Sequence, residues 1–203
     1  MPIIEVHLFK GHPAQVRTRL INAMTDAFRM VIQAPPASIT VLLHELEQEN
    51  FMRGGAMRRR VVALREPISV LQDYIKAMES RDLDLAQKHL TDDCQIFMPG
   101  GEVFTSPAII WFQARVRKMD FKIIGSGTSA GEQGPTVLIR MAMSGQWLDG
   151  TPFADVRMAA KFEFHGNQIR QIDMWTDLAE HALARGGYGV RPPDVPDTDS
   201  AGH

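Results

Sequence analysis

Cysteine is nearly absent from this 203-residue sequence. Cys94 stands alone, which excludes a disulfide framework and a thiolate metal cluster. No run of about 18 apolar residues occurs, so no segment reads as a membrane-spanning helix. An unbroken apolar leader is missing too, because Glu5, His7 and Lys10 interrupt the N-terminus where a signal peptide needs its core. The net charge is only −2, which gives no support for a nucleic-acid or membrane partner. A cytoplasmic protein acting on a small molecule is the expectation. Charge is unevenly spread: up to Arg65 there are nine Lys and Arg against five Asp and Glu, and after it thirteen against nineteen. A mildly basic first part suits a small anionic substrate.

The opening stretch carries the most chemistry. Proline follows the initiator, and Met1 is ordinarily removed before a proline, leaving Pro2 with a free secondary amine. An internal proline has no such group to offer. Residues 3–9 alternate from Glu5 onward and read as a strand. Gly11-His12-Pro13 breaks it, with Pro13 placed for a first helical turn. Val16, Leu20, Met24, Ala27, Phe28 and Val31 form a helical stripe within 14–33. Ala34-Pro35-Pro36 stops that helix, and 38–46 is a second strand, parallel to the first by the handedness of a βαβ crossover. Gly54-Gly55 suits a tight turn.

Strand, helix, Ala34-Pro35, strand and Asn50-Phe51-x-x-Gly54-Gly55 together resemble the 4-oxalocrotonate tautomerase family, over residues 2 to about 60. The resemblance implies that Pro2 is the general base and that Phe51 lines the substrate pocket. It also implies assembly, with subunits paired into four-stranded sheets and three pairs grouped as a hexamer. Two positions depart from the founding enzymes: His12 and Thr40 stand where those carry carboxylate-binding arginines. The proline chemistry is therefore expected without the dicarboxylate substrate. Phe51, His12, Thr40, Arg17 and Arg53 are the candidate substrate-binding residues, and no cofactor or metal is expected. No single element carries two histidines at metal-ligand spacing, and His7 and His44 read as ordinary strand residues.

Arg58-Arg59-Arg60 reads as a solvated basic face, and Glu66-Pro67 opens a new helix. We place a first domain at 1–62, a second at 66–180 and a disordered Pro, Gly and Asp-rich tail at 186–203. The second part reads as three helices, around 68–78, 82–90 and 106–116, with a short strand at 94–98 before the third. Apolar stretches at 121–125, 136–147, 152–164 and 168–175 follow as an antiparallel meander. Gly125-Ser126-Gly127 is no phosphate loop, since no helical pattern follows it.

This order, with Trp147-Leu148-Asp149-Gly150 and Ile172-Asp173-Met174-Trp175-x-Asp177, resembles the SnoaL-like relatives of ketosteroid isomerase. The implied fold class is α+β: a β-α-β tautomerase unit followed by a cone of three helices on a curved, mainly antiparallel sheet. The steroid isomerases' base aspartate falls near Met98, which cannot serve. Asp155, Arg157, Trp175 and Asp177 are the candidates for a second pocket, and five methionines (98, 141, 143, 158 and 174) suggest an adaptable apolar lining. Three functional readings stay open on the residues. One is a proline tautomerase; a second is a non-catalytic scaffold presenting an apolar-ligand domain; the third puts the chemistry in the cone.

Overall fold

A computed structural model describes residues 1–57, 64–131 and 133–186. The chain divides into two units, 1–63 and 64–203. The Arg58–Arg60 triplet, the expected boundary at 62 and the expected tail beyond Gly186 lie outside the described residues.

In the first unit β1 (Ile3–Phe9) and β2 (Thr40–Leu46) pair in parallel, in the register Ile3↔Thr40 to Phe9↔Leu46. The amide of Thr40 donates to the Pro2 carbonyl at 3.0 Å, and that of Lys10 to the Leu46 carbonyl at 3.0 Å, so the ladder is closed at both ends. Helix α1 (Ala14–Val31) crosses over, with Leu20, Met24 and Phe28 as its half-buried stripe. β2 starts at Thr40 because Pro36–Ser38 forms a 3-10 turn, in which the Ser38 amide bonds back to the Pro35 carbonyl. β3 (Met52–Arg53) and β4 (Ala56–Met57) make a small hairpin. Its turn places Gly54 and Gly55 at φ +60° and +76°, the left-handed pair that glycine reaches without strain.

In the second unit a six-stranded sheet runs β6-β5-β10-β9-β8-β7, from β5 (Leu90–Phe97), β6 (Val103–Phe104), β7 (Val116–Ala130), β8 (Pro135–Trp147), β9 (Pro152–His165) and β10 (Gln168–Thr176). Only β5 and β10 pair in parallel; the other neighbours are antiparallel. Bulges between Ile123 and Gly125 and between Met143 and Gly145 bend the long strands. Gly145 is required there, since a Cβ would sit 1.9 Å from the Lys118 carbonyl oxygen. The concave face holds α2 (Pro67–Glu79), α3 (Leu83–Lys88) and α4 (Ala108–Ala114) around a core that includes Leu71, Ile96, Met119, Ile139, Phe164 and Ile172. This is the α+β cone expected of the sequence.

Several elements differ from the sequence reading, among them β7, which spans Val116–Ala130 against an expected 121–125. The second helix stops at Lys88 and Leu90 already opens β5, because the chain must turn to place Leu90 against Ile169. The third stops at Ala114: Arg115 adopts a left-handed φ of 50°, and Val116 turns inward as the first residue of β7. A further helix, α5 (Leu178–Arg185), follows β10. No helix among the described residues is long and apolar enough to cross a membrane.

Candidate functional site

The proline site begins at the head of β1. Pro2 is half-buried and shares its backbone hydrogen bond with Thr40, so these two candidates are neighbours. The others gather elsewhere. Phe51 packs edge-on against Phe9, ring centroids 5.3 Å apart, at the far end of the same strand. Seven residue steps along the strand separate Pro2 from Phe9, roughly 23 Å. Even with both rings reaching back, Phe51 stays more than about 10 Å from the proline of its own chain.

His12 and Arg17 also belong to the far end. Arg17 donates to the His12 carbonyl at 3.1 Å and to both oxygens of the Glu45 carboxylate at 3.2 and 3.3 Å. Its guanidinium therefore ties α1 and the Gly11–Pro13 turn to β2. Arg53 is exposed on the β3–β4 hairpin. A single chain thus brings Pro2 together with Thr40, and Arg17 together with His12. Phe51 and the proline do not meet within it. Sequence order gives no hint of this division, because both ends of a strand look alike in one dimension.

The second unit holds a cavity of about 250 Å³, floored by the methionines Met98, Met143, Met158 and Met174 with Ile110 and Phe121, and flanked by Gln113, Arg115 and Thr176. A smaller chamber of about 20 Å³ shares Ile110, Phe121, Met158 and Met174 with it and adds Tyr74. The Tyr74 hydroxyl is buried with no hydrogen-bond partner, and burial holds its pKa well above the usual phenol value. An unpaired buried hydroxyl costs about 1–3 kcal/mol, and burial keeps this one protonated. Cys94 is buried, and desolvation pushes its thiol up to about 12, which leaves it inert as a nucleophile.

The four polar candidates of this unit lie outside that cavity. Val156, Met158, Ile172 and Met174 turn inward, and the two-residue period of a strand sends Asp155, Arg157 and Trp175 the other way. Trp175 is 54% exposed, and Arg157 pairs with Asp177 at 2.5 Å on the surface. Tyr74 escaped sequence reading because its place in the apolar stripe of α2 made it look like ordinary core.

Residues 2–60 match the tautomerase family, described as "Tautomerase enzyme". A 2-hydroxymuconate tautomerase from Pseudomonas putida is 28% identical over 61 residues, covering 97% of that protein and 30% of this chain. Among solved structures, AclR from Streptomyces galilaeus aligns with a TM-score of 0.50 at 14% identity, over 66% of this chain and 91% of that one. A protein of ketosteroid-isomerase-like fold from Catenulispora acidiphila aligns at 0.49 and 17%, over 63% of this chain and all of that one. The likeness to AclR bears on fold alone. Within the first unit, then, residues 2–60 are similar to the tautomerase family.

Proposed function

We propose that the chain is a cofactor-independent tautomerase in which the Pro2 amine, freed by removal of Met1, is the general base for keto–enol proton transfer on a small enol or 2-oxo acid. The observation that carries this reading is the tautomerase match beginning at residue 2, with Pro2 at the head of the parallel pair. A secondary amine works as a base when neighbouring cations and a water-poor pocket favour its neutral form. With Arg17 bound to Glu45, and with His12 and Thr40 in place of arginines, an apolar wall carries more of that task. Monoacid enols are then better substrates than diacids.

The wall comes from another copy. Phe51 lies too far from its own Pro2 to share a pocket, so the site is completed when the far end of a second chain meets the proline end of the first. That geometry and the family resemblance support a homo-oligomer of even subunit number, with a hexamer favoured. The test combines intact mass with Pro2→Ala. Loss of Met1, and a fall in phenylenolpyruvate turnover of about 10²–10⁴-fold in the variant, support the reading. Retained Met1, or wild-type turnover in Pro2→Ala, would refute it.

The cone cavity favours a second role beside this one: binding of a small apolar molecule. Its floor of four methionines with Ile110 and Phe121 is the observation behind it.

A further inference from the structure

The face of the β1–β2 pair that turns away from α1 carries a cluster the proline chemistry does not use. The Arg17–Glu45 contact identifies the α1 side, because Glu45 belongs to β2 and Arg17 to α1. Side chains alternate along a strand, so His44 lies on the opposite side. Parallel partners in register project to the same side, which puts His7 beside His44. Glu5, two residues before His7, joins them one pleat repeat away.

We infer that Glu5, His7 and His44 form a binding site for a divalent transition metal of the zinc class. The two imidazoles stack at 4.7 Å with 16° between their planes, which places them side by side; to share one ion they must turn out of the stack so that their nitrogens converge. Glu5 Oε2 lies 4.0 Å from His7 Nε2 and 3.8 Å from His44 Nε2, and one ligand atom from each residue lies within 4.8 Å of the others. Among the described residues no other three His, Cys, Asp or Glu side chains converge in this way.

The chemistry of the donor set agrees. Two imidazole nitrogens and one carboxylate oxygen make a three-ligand set that zinc accepts, leaving a fourth position for water or an incoming oxygen. Zinc–nitrogen and zinc–oxygen bonds of about 2.0–2.2 Å put tetrahedral donors about 3.3 Å apart. The two Glu5–His spacings exceed that by less than an ångström, while the set as a whole spans up to 4.8 Å, so the imidazoles must rotate towards each other to close on an ion. Within one chain 44% to 57% of each side chain is accessible, on the same sheet face as Ile3 and Leu42, the face that the proposed oligomer would cover. The fixed part, the in-register placement of His7 against His44, is supplied by the backbone ladder itself. The sequence conceals the site because its two histidines are 37 positions apart, on separate strands.

The experiment is zinc binding by the full-length protein, stripped with a chelator and titrated with zinc chloride against a chromogenic competitor. The expected result is uptake that weakens at least tenfold in His7→Gln/His44→Gln, and by a smaller factor in Glu5→Gln. Equal affinity in the double variant, or no competition by the wild type, overturns the inference. A second measurement avoids dependence on how the variants fold. Diethylpyrocarbonate labelling of the wild-type protein, mapped by mass spectrometry, should be suppressed at His7 and His44 by zinc while His12 continues to react. Labelling of His7 and His44 unchanged by zinc overturns the site. Neither readout involves Pro2 or enol turnover, so the metal site and the tautomerase reading stand or fall separately.

Discussion

The two units of this chain solve the burial problem in opposite ways. In the second, six strands and three helices enclose a core in which Phe164, Leu71, Ile139 and Ile172 are sealed from water. In the first, no described residue reaches full burial. Two strands and one helix cover one sheet face only, and the other leaves Ile3 and Leu42 exposed at 57% and 42%. A two-stranded sheet is marginal without further layers. The difference teaches where each site can be built. The cone cavity is complete within its own unit, whereas in the first unit Pro2 and Phe51 stand at opposite ends of β1.

The largest effect should come from charging the uncovered face. Ile3→Asp with Leu42→Asp desolvates two carboxylates wherever that face is covered by another chain, so the oligomer should dissociate and enol turnover should fall with it. All three tryptophans, 111, 147 and 175, belong to the second unit, so their fluorescence reports that unit alone. It should keep its wild-type spectrum and unfolding midpoint. Unchanged mass by light scattering in the variant would show that the first unit closes its sheet by other means, and the contrast between the units would fail.

A core truncation sharpens the same contrast. Phe164→Ala removes a ring that is 1% exposed, and such changes typically cost about 3–5 kcal/mol. Leu43→Ala in half-buried β2 should fall below the usual range of about 2–5 kcal/mol for leucine truncations, because water already reaches its surroundings. Denaturant unfolding followed by tryptophan fluorescence for the first variant and by enol turnover for the second separates the two. Comparable losses would mean that the first unit is as well sealed as the second.

How much of this was legible in the sequence follows the same division. Alternation in 3–9, the stripe from Val16 to Val31 and the glycine pair at 54 and 55 define the βαβ unit and its hairpin, since each rests on local backbone rules. Helix ends in the cone were less legible. Val116 fits the apolar period of α4, but Arg115 takes a left-handed conformation and the residue becomes a strand opener. The candidate sites were harder again, because they depend on which side of a strand a residue takes. Asp155, Arg157 and Trp175 have the chemistry of pocket residues and the wrong parity, whereas Tyr74 has the chemistry of core and a free hydroxyl. His7 and His44 meet only through the parallel register. Pairing across a ladder leaves no mark in either segment.

Tyr74→Phe tests the self-contained cavity at a smaller scale. Removing an unpaired buried hydroxyl should leave stability unchanged or raise it by about 1 kcal/mol, against the loss expected when a bonded one is removed. Destabilisation by a similar amount would show that the hydroxyl has a partner in solution, such as a bound water.

The smallest expected effect concerns the rim of the cone, where Asp149 joins the β8–β9 turn to α5. Its carboxylate accepts from the Thr151 amide at 3.0 Å and pairs with Arg185, whose guanidinium lies 5.8 Å from the Trp147 ring centroid. The Thr151 hydrogen bonds, first from its amide, hold the Asp149 pKa below its ordinary 3.8, and Arg185 adds to the shift. A carboxylate whose pKa is lowered by folding stabilises the protein above its unfolded value, and that contribution fades as pH falls through the folded one. Asp149→Asn should therefore have a slightly lower urea midpoint than wild type at pH 6, with the two curves converging toward pH 3. Because the pair is exposed, salt should shrink the difference as well. Tryptophan fluorescence is the fitting probe, since Trp147 is the ring that Arg185 covers. A difference that persists undiminished at pH 3 would assign the role of Asp149 to the shape of its turn and not to its charge.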